Sequence, residues 1–102
     1  MKHLTLIIHT DIQQDLTEQL RNLNQVTGFT FSPVEGHGIE SENDAFLSAR
    51  DKVVGCIPRV QVDILLEDDE VNLVLNSLQK TTHNIEGNGI YWITDVVQSG
   101  RL

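Results

Sequence analysis

Hydrophobic residues fall at every second position near the start of the chain. Leu4, Leu6 and Ile8 alternate with Thr5, Ile7 and His9, the period of a β-strand. The period then changes. Ile12, Leu16, Leu20 and Leu23 recur at spacings of four, four and three, a single apolar stripe on a helix. Thr10 is placed to cap that helix, because its hydroxyl can accept an orphan N–H and Gln13 stands where a capping box has Glu or Gln. After Gly28, FTFSPVE predicts a second strand with Phe29 and Phe31 on one face and Thr30, Ser32 and Val34 on the other. Pro33 lacks an N–H, so this strand belongs at a sheet edge or is bulged there. A third strand follows, where Val60, Val62, Ile64 and Leu66 alternate with Arg59, Gln61, Asp63 and Leu65. Asp68 or Asp69 is expected to begin a second helix, capping it and complementing its dipole, with Val71, Val74, Leu75 and Leu78 as its stripe. Glu86-Gly87-Asn88-Gly89 is a turn signal before the last strand, IYWITDVV.

The order βαββαβ predicts one α+β domain over residues 1–102 with a ferredoxin-like arrangement. Its four-stranded antiparallel sheet carries both helices on one face, and a long loop joins strands 2 and 3. Periodicity dissolves in PVEGHGIESENDAF and returns only at Arg59. Loops of this length are usually functional or disordered. Within the segment 36–57, the run Ser41, Glu42, Asn43 and Asp44 has little to bury, and Phe46, Leu47, Val53 and Val54 suit a segment that orders on a partner. If Leu4, Phe29, Val62 and Trp92 face the helices, then Ile7, Val34, Leu65, Tyr91, Ile93 and Val97 point away from them. An apolar face of that kind predicts association between copies.

Charge narrows the partners. The net charge is −8, and the seven Lys and Arg are scattered from Lys2 to Arg101. Nucleic acid is excluded as a ligand, because a phosphate backbone needs clustered cations, and an acidic membrane surface is disfavoured for the same reason. The one cysteine, Cys56, rules out an internal disulfide and fits a reducing compartment. LTLII is too short for a signal-peptide core, and no run approaches the ~20 apolar residues of a membrane span. A cytoplasmic protein without direct membrane insertion is expected.

Catalytic signatures are missing. A copper-carrier loop needs two cysteines, and an acylphosphatase-type first loop needs a phosphate-binding arginine where this chain has His9-Thr10-Asp11. Ser41, Ser48 and Cys56 lie in the long loop without a nucleophile elbow or a base placed by spacing. No enzyme is expected. Among metal-ligand types, His3 and His9 share a strand face but stand about 20 Å apart, too far for one ion. His37 lies between two glycines with Glu35 and Glu40 close by, an acceptable set for Zn, Cu(II) or Ni, while His83 belongs to the loop before the last strand. His37 is either such a ligand or a solvated surface histidine.

Three stretches carry a family likeness: GFTFSPVEGHGIE, CIPRVQVDILLEDDEVNLVLNSL and EGNGIYWITDV. With Val34, Gly36 and Gly38 ending the second strand, Pro58-Arg59 opening the third, Asp68 and Asp69 before the second helix, and Gly87 and Gly89 before the last strand, the chain resembles the PII signal-transduction superfamily over nearly its whole length. The ending YWITDVVQSGRL is most similar to small PII-like proteins found alongside heavy-metal efflux systems. The resemblance implies a homotrimer that binds ATP or ADP in its intersubunit clefts and engages a protein target, such as a transport or efflux component, through a T-loop-like segment at 36–57. It implies a ligand site near Gly36, His37, Gly38, Arg59, Gly87, Gly89 and Arg101.

The departures change that expectation. Glu40 stands near the family's glutamine, Ile90 replaces a lysine, and a pair of arginines is reduced to Arg101. The T-loop tyrosine modified in nitrogen regulators has no counterpart, since Tyr91 is the only tyrosine. ATP and ADP are therefore disfavoured relative to a divalent transition metal (Cu, Ni or Zn) at His37, Glu35 and Glu40. The combined expectation is a non-catalytic sensor in metal homeostasis, or alternatively a metal-binding chaperone or buffer using His37 and the nearby carboxylates.

Overall fold

In the computed structural model, residues 1–37, 57–82, 85 and 87–102 are described. The period-2 segments form strands β1 (Lys2–His9), β2 (Phe29–Gly36), β3 (Ile57–Leu66) and β4 (Gly89–Asp95), and the stripes form helices α1 (Gln13–Arg21) and α2 (Val71–Thr81). The strands make one sheet in the order β2-β3-β1-β4, every neighbouring pair antiparallel. This is the ferredoxin-like α+β fold. Pro33 sits in β2, an edge strand, as its missing N–H requires. Residues 38–56, which include most of the expected loop, lie outside the described residues.

One face of the sheet holds the core. Leu4, Leu6, Ile8, Val60, Val62, Ile64 and Leu66 are buried against Ile12, Leu16 and Leu20 on one side and Val71, Val74, Leu75 and Leu78 on the other. Phe29 and Phe31 close the β2 edge, stacked edge to face with ring centroids 5.5 Å apart. Both stripes and the phases of β1, β2 and β3 were therefore readable from periodicity.

Three local expectations are corrected. Thr10 does not cap α1: a 3-10 turn (Thr10–Ile12) intervenes, and neither it nor the helix receives a side-chain cap. Asp68 and Asp69 do not cap α2, which starts at Val71 without a side-chain cap. Asp68 instead pairs with the Met1 ammonium at 2.7 Å, and this hydrogen bond holds its carboxyl below the usual carboxylate range. Lastly, the phase of β4 is inverted. Leu6 pairs with Tyr91 and Leu4 with Ile93, while Thr5 pairs with Trp92 and Ile7 with Ile90. Directly paired residues share a face, so Tyr91 and Ile93 lie on the helix side and Ile90 and Trp92 on the open side. Every residue of β4 is nonetheless exposed.

Candidate functional site

Four strand ends converge at one end of the sheet. Pairing of Ile8 with Gly89, His9 with Arg59, and Gly36 with Ile57 brings together the ends of β1 and β2 and the starts of β3 and β4. The undescribed 38–56 segment is rooted here, between His37 and Ile57.

Arg59 is held on two sides. Val34 and His9 are its cross-strand partners, so all three side chains lie on the open face. A Cβ placed on Gly36 would stand 2.9 Å from the Arg59 Cγ and 3.3 Å from its Nε, so the glycine is the slot in which the arginine stem lies. At the other end, Arg59 Nη1 is 2.6 Å from His9 Nδ1. Arginine can only donate, so Nδ1 accepts, the ring is neutral, and its proton is on Nε2. His9 is only 4% exposed. Glu35 lies on the opposite face of β2, away from Arg59.

The other half of the site belongs to β4. Gly87 has φ of 76°, the left-handed region that favours glycine, and a Cβ on Gly89 would stand only 3.0 Å from the Ile7 carbonyl oxygen. Beneath these glycines a cavity of about 140 Å³ separates α2 from β4, lined by Leu6, Ile8, Leu75, Leu78 and Tyr91. Gly36 and Gly89 sit on opposite edge strands, three strand spacings or roughly 14 Å apart within one chain.

Other expected site residues are placed differently. His37 is exposed just beyond β2. Gly38 and Glu40 lie outside the described residues, as do Cys56, His83 and Glu86. Among the described residues, no group of three or more His, Cys, Asp and Glu is arranged to hold a metal. Arg101 follows the far end of β4, where Asp95 pairs with Lys2, rather than the end that carries Arg59.

A second polar cluster was not foreseen. On the open face His3 Nε2 lies 2.7 Å from Asp63 Oδ1, Thr5 Oγ1 donates to the same oxygen at 3.4 Å, and Gln61 Nε2 donates to Asp63 at 3.1 Å. The parity of His3, Thr5, Gln61 and Asp63 was visible in the sequence, but the register that joins them was not.

This geometry can be set beside known proteins. A family model described as "Protein of unknown function (DUF3240)" matches residues 1–102. The chain belongs to the DUF3240 family. A crystal structure of a DUF3240 family protein from Shewanella baltica OS155 superposes with a TM-score of 0.76 at 24% identity, covering 99% of this chain and 94% of that one. Nitrogen regulatory protein P-II 1 of Escherichia coli K12 is 25% identical over 103 aligned positions, spanning 100% of this chain and 91% of the relative. Nitrogen regulatory protein GlnK of the same strain is 24% identical with the same coverage. The PII-like resemblance of this DUF3240 chain thus extends over its whole length. Among the described residues no helix is long and apolar enough to cross a membrane.

Proposed function

We propose that this DUF3240 chain is a cytoplasmic, homotrimeric, non-catalytic regulator of PII type. It binds a small ligand between subunits and passes its occupancy to a protein target through the segment 36–57. The observation that carries this reading is the Arg59 guanidinium, set by Gly36 and His9 at the root of that segment. The two glycine elements support a cleft between copies. They stand on opposite sheet edges of one chain, so side-by-side copies would bring Gly87 and Gly89 of one against Gly36 of the next.

The open face supports association. It exposes Leu65, Ile90 and Trp92 at 47, 61 and 44%. Within the strands its formal charges are Arg59 and Asp63, which cancel, although the whole chain carries −8. Copies can therefore meet there without the repulsion that the rest of the surface would impose. The target we assign is a protein component of a transport or efflux system.

Native mass spectrometry of protein taken directly from cells tests the reading. Three copies with a retained small-molecule or metal adduct are expected. A bare monomer at micromolar concentration would end it.

A further inference from the structure

We infer that His9 is a positioning residue that fixes Arg59 as a seat for a phosphate-type oxyanion. This rests on reading the loop-bearing end of the sheet as the ligand site.

An arginine on a strand has several rotatable bonds, and its fork recognises an oxyanion well only when its plane is fixed. Here the stem is fixed by the missing side chain of Gly36, and one N–H is anchored on His9 Nδ1 at 2.6 Å. Burying an imidazole is costly unless it is hydrogen-bonded, and His9 is among the few polar side chains buried among the described residues. As a neutral acceptor it orients the guanidinium without cancelling its charge, which a carboxylate in the same place would do. The result is a preorganised cation on a strongly acidic protein.

The probe is inorganic pyrophosphate, titrated into the full chain while the Arg59 Nε–H resonance is followed by ¹H–¹⁵N NMR. A saturable shift is expected in the parent. His9→Ala should raise the dissociation constant about tenfold, the loss of one charge-assisted hydrogen bond. His9→Asn should stay within about threefold of the parent, because its side-chain oxygen occupies the position of Nδ1. In an Arg59→Ala background, where calorimetry replaces the lost Arg59 resonance, His9→Ala should have no further effect on pyrophosphate binding, since its part in the site runs through the guanidinium. Gly36→Ala, which pushes on the Arg59 stem, should also weaken binding and serves where His9→Ala does not fold.

The inference is overturned by any of three outcomes: no Arg59 shift at tens of millimolar pyrophosphate, parent-like binding in both His9→Ala and Gly36→Ala, or an equal loss from His9→Ala with and without Arg59. Failure of the regulator reading looks different. It would appear as a bare monomer in native mass spectrometry while pyrophosphate still shifted Arg59.

Discussion

His9 and Thr82 are each 4% exposed, yet they stand in opposite positions. His9 accepts from Arg59, whereas the Thr82 hydroxyl, at the end of α2, has no hydrogen-bond partner among the described residues. A buried unsatisfied hydroxyl costs free energy that an isosteric methyl does not. Thr82→Val should therefore raise unfolding stability by about 1 kcal/mol in urea titrations; a loss of similar size would mean that the hydroxyl is engaged. Gly87→Ala should act in the other direction. With φ at 76°, an alanine there should cost about 1 kcal/mol, measured the same way. Gly87 was legible as a turn glycine because the EGNG run announces itself. The His9–Arg59 contact was not, because it joins positions 50 residues apart and requires the strand register.

The strands and helix stripes followed directly from their periods, and the failures came where a period is ambiguous. IYWI offers apolar residues in both phases, so nothing in that run tells which phase meets the helices, and a one-residue shift exchanges the faces. Pairing with β1 settles it. The α2 boundary failed because a carboxylate that suits a cap also suits an ammonium, and Met1 reaches Asp68. That pair has a definite pH signature. The folded carboxyl lies below its ordinary value of 3.8, so its stabilisation is present above pH 3.8 and is lost as pH falls through the folded value. Lys2 works in the opposite sense. Its hydrogen bond to Asp95 raises its pKa, so that contribution persists below pH 10.5 and is lost as pH rises through the folded value. Asp68→Asn should melt below the parent near neutral pH and match it well below pH 3.8. A difference that persists into acid would assign the effect to something other than this ion pair. In the core, Leu16→Ala should cost about 2–5 kcal/mol, because Leu16 is fully buried and the helix cannot collapse onto the gap.

At the scale of the whole molecule, the open face makes association readable by a single fluorophore. Trp92 is the only tryptophan and is 44% exposed on that face. If the copies meet there, its emission should shift to the blue and resist acrylamide at concentrations where sedimentation shows the assembled form. Leu65→Glu, at the far side of the same face, should dissociate the assembly, since an unpaired buried carboxylate costs several kcal/mol. Ile93→Lys lies on the helix side of β4 and should disturb it less. Assembly with a fully quenchable Trp92 and no response to Leu65→Glu would place the interface elsewhere. ATP should bind more weakly than about 100 µM, because Ile90 leaves one charge-assisted contact unmade. Low-micromolar affinity by calorimetry would refute that argument.

The central place of β1 has a consequence for how the chain reaches its fold. This first strand pairs with β3 on one side and β4 on the other, across separations from 50 residues (His9 to Arg59) to 93 (Lys2 to Asp95). No hairpin can nucleate it. During synthesis β1 emerges first and must wait, with both hydrogen-bonding edges unsatisfied, until more than half of the chain has followed. Closing such distant pairs costs loop entropy before any contact returns it, so refolding should take on the order of milliseconds to seconds rather than microseconds. Until β4 arrives, an edge of LTLII stays open to other nascent chains. A chain stopped before Gly89 would leave that edge exposed permanently, which makes the last fourteen residues the guard of the first nine.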